Sequence, residues 1–520
     1  MSSIENNEIP NKPEPIGYIN EGLTKKTFTK VQVVFAAISI ILGFLFIKFV
    51  FAGGLGIATS VFFVLSIASS IIFFRYHNIK ISRIDVFYII ILLAFSCSLS
   101  IYPNTLIKGL TLIFLFIVSM GWCFIVCERS HKNFYTGNML FDAIKAIIIM
   151  PLSSMGECGS ALNSAGKKYS AGKNLLYIIT GLIIAVPTTM TIAYLLMQAD
   201  DAFNNMFSYL FNNAFSNIVI FLVQVAVGIP FGFYIYGTWM SYAKGTNAEL
   251  LTQSRANNIV TKLRFAPNIV ICTITIPICL LYTMFFASQT TYYFSAFSNI
   301  LPQSLTYAEY ARKGFFELCA VVVINIAIIF AISVFTKRTS EKPPRLLKIF
   351  TVILSTFTLL LIVTAVSKML MYIDNYGLSL LRVYTTWFML LTGLIFILLI
   401  LKQFIPSLRI MRSSVAVFVL MFGLLTFSDV DAQIAKYNVD CYTSGKFETV
   451  DVNMMYNLSD SAAKYIIPLA QSKDQSIANS AREYLDNKIN YFNSQKFDWR
   501  TFNYTSHQAK KLIKEYQETR

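Results

Sequence analysis

Catalytic vocabulary is almost absent from this chain. Three histidines in 520 residues, His77, His131 and His507, share no motif. No H-x-x-x-H or C-x-x-C spacing occurs, which excludes the usual zinc sites. The G-x-S-x-G elbow of serine hydrolases is missing too. The stretch 156–174 is rich in Gly, Ser and Lys and invites a phosphate-loop reading. Ala161 and Lys167, however, stand where the Walker pattern needs its first Gly, and neither Gly-Lys pair is followed by Ser or Thr. No metal and no cofactor is expected. Asp429-Val430-Asp431 is a D-x-D, a motif that binds metal–nucleotide sugars, but its place between an apolar run and a helix favours capping. A multi-span glycosyltransferase would want acids in its first outer loop, and Phe51-Ala52-Gly53-Gly54 has none.

Charge is scarce as well. Asp, Glu, Lys and Arg make up 13% of the chain and hydrophobic residues 55%, against about 25% charged in soluble domains. A water-soluble fold of this size has nowhere to hide so much apolar surface. A helix crosses the ~30 Å hydrocarbon core with about 20 residues. Eleven apolar runs meet that length: 31–52, 54–74, 84–102, 106–127, 174–197, 217–242, 268–290, 314–336, 347–371, 380–401 and 409–428. The fold class is therefore all-α: a polytopic transmembrane bundle of about eleven spans (31–428), with a polar tail before it (1–30) and a small helical domain after it (429–520). Pro187, Pro230 and Pro277 fall inside spans, where neighbouring helices re-satisfy the freed backbone groups. The first run is too long for a signal-peptide core and follows thirty polar residues, so it reads as a span.

The net charge of +16 does not point to nucleic acid. With the N-terminus placed in the cytoplasm, the inner segments hold twenty-five Lys and Arg and the outer loops five: Lys108, Arg312, Lys313, Lys368 and Arg382. That is the positive-inside bias. The excess charge is a topology signal and a surface for anionic lipid at the cytoplasmic face. An odd number of spans puts the neutral C-terminal tail outside the cell membrane. Of eight cysteines only Cys441 lies in that tail, so it holds no internal disulfide.

Between the spans, 140–152 places Leu140, Phe141, Ile144, Ile147 and Ile148 on one helical face, with Asp142 and Lys145 on another. That suits a helix lying in the inner interface or one packed on the bundle. In the outer loop 198–216, Asp200 and Asp201 either cap a short aromatic helix or face basic residues elsewhere. Helices are expected in the tail at 429–437, 459–471, 476–492 (Ser476 as N-cap) and 505–517.

The polar residues at matching depth are the candidate site: Glu309, Arg312, Lys313 and Glu317 at the outer end of the eighth span, Lys368 and Asp374 at that of the ninth, and Arg382 at that of the tenth. Two readings stand. Charges near helix ends snorkel to the interface. Alternatively they form a buried outer-leaflet network, in which Glu317, too short to snorkel well, takes the planar fork of Arg382.

Tyr307-Ala308-Glu309-Tyr310-Ala311-Arg312-Lys313-Gly314-Phe315-Phe316-Glu317-Leu318 resembles the hallmark of a family of bacterial multi-pass membrane proteins catalogued as a domain of unknown function. Ala199 to Phe203, Tyr376-Gly377-Leu378 with Leu381-Arg382-Val383-Tyr384, Asp431 to Asn438, Leu458-Ser459-Asp460 and Trp499 to Asn503 fit the same pattern. The resemblance covers about 190–510. It implies a multi-pass architecture in the bacterial cell membrane and no mechanism.

Three function classes follow. The first is a transporter-like protein handling a small solute, lipid or envelope intermediate. The second is a non-catalytic membrane subunit or sensor whose outer domain meets a protein partner or ligand. The third, a membrane-embedded transferase, is disfavoured by the missing motifs.

Overall fold

The computed structural model describes residues 27–51, 53–128, 139–165, 171–210, 216–245, 253–297, 315–337, 344–495 and 498–519. Among them the regular structure is helical, apart from one isolated bridge between Ala266 and Thr336. The membrane part comprises α1 (Lys30–Phe46, continued by a π turn Ile47–Phe51), α2 (Ile57–Tyr76), α3 (Arg83–Ile101), α4 (Thr105–Glu128), α5 (Met139–Ile144), α6 (Met150–Ala165), α7 (Ala171–Ala199), α8 (Asp201–Leu210), α9 (Ser216–Lys244), α10 (Gln253–Leu263), α11 (Asn268–Phe297), α12 (Phe315–Phe335), α13 (Arg345–Tyr376), α14 (Leu380–Phe404) and α15 (Ile410–Phe427). The tail adds α16 (Val430–Thr443), α17 (Ala463–Ile466), α18 (Gln475–Ser494) and α19 (Tyr504–Thr519), joined by short 3-10 turns.

Nine helices among the described residues are long and apolar enough to cross a membrane. The two remaining apolar runs also fall on helices, α7 and α12, parts of which lie outside the described side chains. Large apolar residues such as Ile84, Phe87 and Ile90 of α3 face outward, as lipid-contacting positions must.

The tightest contact joins α1 to α9. Gly43 of α1 lies on Gly228 and Gly232 of α9, and a Cβ at any of the three would run into the opposite backbone. Small residues let two backbones approach this closely where lipid offers no hydrophobic drive for helix association. The pairing runs antiparallel, because Gly228 meets Gly43 while Gly232 meets Ser39 and Ile40. Beside it, Phe46 stacks on Phe231 at 3.9 Å between ring centres. The sequence spells this contact as Gly228-Ile-Pro-Phe-Gly232, a G-x-x-x-G that the periodicity reading passed over.

The helix expected over 140–152 packs on the bundle through Ala146 and Met150, while Ile144 and Ile148 of its apolar face stay exposed. It runs on into α6 through a π turn at Lys145–Ile149. A π turn disrupts the regular ladder, and Tyr234 donates to the Ile147 carbonyl at 2.8 Å while Tyr242 donates to that of Ala146. Asp142 and Lys145, expected on the polar face, are both buried.

The tail is fused to the membrane domain. Val430, Ile434, Ala462, Tyr484, Leu485 and Ile513 belong to one apolar core that continues through α1 to α4, α9 and α15. Its helices fall where expected, though Val430–Thr443 runs longer than the expected 429–437, 459–471 breaks into 3-10 turns around the short α17, and the cap of α18 needs correction. Asp474, not Ser476, caps α18, its side chain accepting from the backbone N–H of Ser476 at 2.8 Å. The carboxylate one turn before the apolar face reaches the orphan donors that a residue inside the first turn does not. The turns before α2, α4 and α14 all meet the tail, and the end of α15 accepts a hydrogen bond from Tyr102 in the turn before α4. We call this the tail face. The α1–α2 turn lies on it, so α1 begins on the opposite side.

Gly43→Ala should loosen the α1–α9 contact by at least about 1–3 kcal/mol, the usual cost of overpacking. Thermal unfolding of the purified chain in detergent checks this. Gly109→Ala, whose Cβ meets nothing within 4 Å, is the control that should not lower the midpoint, since alanine favours the helix over glycine.

Candidate functional site at the tail–membrane junction

Helix α4 begins at Asn104. Its side-chain oxygen accepts from the Ile107 N–H at 3.0 Å, capping the helix. Its amide nitrogen then donates outward, to Tyr384 Oη at 2.9 Å and to both carboxylate oxygens of Asp431 at 3.0 and 2.9 Å. One carboxamide thus joins α4, α14 and α16. Asp431 is only 1% exposed. Burial pushes its carboxyl above the usual range; hydrogen bonds from Ser459 and Asn104 pull it back, and Asp429 nearby raises it again.

Lys108 sits one turn further along α4 and is 8% exposed. Among the described residues its ammonium has no hydrogen bond and no ion pair. The carboxylate acting on it is Asp460, and Asp460 is already bound to Lys488 at 2.7 Å. Above this group lie Tyr484, fully buried, and Tyr456, with ring centres 4.9 Å apart. Burial raises the Tyr484 phenol well above its ordinary range, and Asp460 adds to it.

Asn438 forms a second knot. Its side chain accepts from the Leu378 N–H at 2.7 Å and donates to the Leu378 carbonyl at 2.8 Å. Gly377 closes α13 with φ +75°, and a Cβ there would strike the Asn438 side chain. Arg382 donates to the Tyr376 and Gly377 carbonyls at 2.8 and 2.5 Å and lies 3.9 Å over the Tyr372 ring. A third knot joins the tail to the α1–α2 turn, where Trp499 packs on Phe49 and Ile57 N–H donates to the Phe502 carbonyl, and to the end of α3, where Thr505 donates to the Ile101 carbonyl at 2.6 Å.

The candidates read from sequence separate under this geometry. Glu309, Arg312 and Lys313 lie outside the described residues, as does the side chain of Glu317, so its pairing with Arg382 lies outside them too. Arg382 spends its fork on the last carbonyls of α13, which a helix C-terminus leaves unpaired and negative. Asp374 pairs with Lys446 of the tail at 3.0 Å, both half exposed. Asp200 caps α8 by accepting from Phe203 N–H at 2.6 Å, and Asp201 is exposed in its first turn. Asp429 caps α16, as its position suggested. Asp431 does something else: it is buried against Asn104. Sequence reasoning missed Asn104, Lys108, Asp431 and Asn438. The signal was there for two of them, since Asp431 and Asn438 share the apolar stripe of α16 with Ile434 and Ala435, and a polar group on a buried stripe needs a partner. No group of three metal-ligating side chains forms among the described residues.

A family model for a domain of unknown function (DUF4153) matches residues 87–469. The chain belongs to the DUF4153 family. The match starts about a hundred residues before the resembling stretch 190–510 and ends before Trp499 to Asn503. It encloses Asn104, Lys108, Tyr384, Asp431 and Asp460, so the first two knots of the junction lie within the DUF4153 segment, while Tyr484, Lys488 and the tail side of the third knot lie beyond it. No curated protein and no solved structure matches the chain.

Asn438→Ala should cost roughly 2–3 kcal/mol, because it strands a buried N–H and a carbonyl together. Faster proteolytic release of the tail measures it. The pH response has a definite sign. A carboxyl raised on folding binds its proton more tightly in the folded chain, so the penalty on the ionised form is full above the folded pKa and fades as pH falls through it. Acidification from pH 7 should therefore stabilise the docked tail of the native chain relative to Asp431→Asn, read as the difference between their melting midpoints.

Proposed function

We propose that the protein is a non-catalytic, transporter-like membrane protein that handles a small anionic solute, lipid or envelope intermediate at the tail–membrane junction. One observation carries this reading. Among the described residues Lys108 is buried beside Asp460 of the tail with no anion of its own, and a buried charge is costly until something pairs with it. Asp460 is neutralised by Lys488, and Asp431 is held by Asn104. The uncompensated cation is therefore a place for an anion brought from elsewhere.

The loop charges support a tail face outside the cytoplasm of a cell membrane. The segments assigned to the opposite side hold most of the Lys and Arg, and α1 begins on that side. A second reading, in which the tail meets a protein partner, is favoured by Tyr456 and Tyr491, which are exposed on it. Tyr is enriched in interfaces of that kind.

The test is recovery of the chain in native-lipid discs, followed by mass spectrometry of what co-purifies. An anionic species should be present with the native chain and with Lys108→Arg, and lost with Lys108→Gln. Equal recovery from native and Lys108→Gln protein would overturn the assignment.

A further inference from the structure

We propose that the ligand of Lys108 is an anionic lipid, its phosphate on the ammonium and one acyl chain in a slot that runs down α4. The inference rests on the junction reading and adds the ligand's class to it. Lys108, Leu112, Phe116, Ser119 and Cys123 recur at intervals of three or four and so share one face of α4. From Leu112 to Cys123 that face lines a cavity of about 260 Å³, whose other walls come from α1, α2 and α9. Lys108 stands one turn above its first residue.

The shape follows from the helices. Leu112 to Cys123 covers about 16 Å at 1.5 Å per residue, and Phe62 to Ser70 on α2 covers about 12 Å. The slot is therefore long and parallel to the helices. At about 1.2 Å of extended chain per bond, it has the length of roughly a dozen methylenes.

The lining says what fills it. Folded interiors leave few voids larger than a water, so a space of this size calls for an occupant. Its hydroxyls are mostly spent on the protein: Ser70 accepts from the Trp239 indole and donates to the Ser66 carbonyl, Ser119 donates to the Phe116 carbonyl, and Thr238 to that of Tyr234. Ser66 Oγ and the Trp122 indole N–H are left without partners, too few to hold a sugar or a peptide, and an apolar cavity does not hold water. Hydrocarbon is what remains. Ile113, in the lining, is 58% exposed, so the slot reaches the surface that faces lipid, and a chain can enter sideways from the bilayer.

Native mass spectrometry of the full chain, offered phosphatidylglycerol and phosphatidylcholine of equal chain length, tests both halves. The native chain and Lys108→Arg should retain phosphatidylglycerol with a preference of roughly tenfold, the worth of one good charge contact. Lys108→Gln should bring the preference to unity. Ser66→Leu with Ser119→Leu, which fills the slot, should lose bound lipid of both kinds. Chains brominated near their middle should quench tryptophan emission in the native protein and not in the filled variant. If the filled variant keeps its lipid, or if glycerol phosphate competes as well as the whole lipid, the slot assignment fails while the junction reading stands. If Lys108→Gln keeps the preference, both fail.

Discussion

The tail face depends on one carboxamide. Asn104 must satisfy the first turn of α4 with its oxygen and hold Tyr384 and Asp431 with its nitrogen. Tyr384 and Asp431 come from segments 280 and 327 residues away in sequence. A buried carboxyl left unpaired there would cost more than most single contacts return, so docking of the tail and placement of α14 and α4 are coupled. Lys108 inherits its position from this arrangement. It lies one turn into a helix whose start is fixed by the tail, and the tail then covers it.

Beneath the junction, packing is set by what lipid cannot do. Hydrocarbon gives helices no reason to associate through apolar surface. Close backbone contact at Gly43, Gly228 and Gly232 supplies one answer, and aromatic layers around Phe46, Phe73, Trp239 and Phe231 supply another. The α5–α6 segment is drawn against α9 by tyrosines that reach the carbonyls of its π turn. A second, smaller core joins α11, α12, α13 and α14, where Asn325 donates to Thr358 at 2.8 Å and accepts from Tyr282 at 2.6 Å. There the polar glue is one buried amide among threonine and tyrosine hydroxyls.

The pieces of sequence that looked most distinctive meet at the junction. Tyr376 to Tyr384, Asp431 to Asn438 and Trp499 to Asn503 are far apart along the chain, and each supplies a bond between tail and membrane domain or the residue that makes room for one; Leu458 to Asp460 binds within the tail, where Asp460 holds Lys488. Their common task is to hold the tail against the start of α4 and the turns beside it. The charged cluster singled out along single helices went to simpler uses where it is described: Arg382 to carbonyls, Asp374 to Lys446, Asp200 to a helix start.

Hydropathy by itself determined that the chain is a helical membrane bundle, because an apolar run of span length in a chain so poor in charge has one stable solution in lipid. Local pattern determined the tail helices and the capping by Asp429 and Asp200, since those depend on neighbours three or four residues away. Even there, the start of α18 moved to Asp474 because two candidates competed within one turn. The burial of Asp142 and Lys145, and the fates of Asp431 and Lys108, were decided only by tertiary structure. Whether a polar side chain snorkels, caps or is buried depends on what the rest of the chain places over it. For Lys108 that cover comes from residues some 350 positions later, a distance at which the order of residues along the chain carries no geometry.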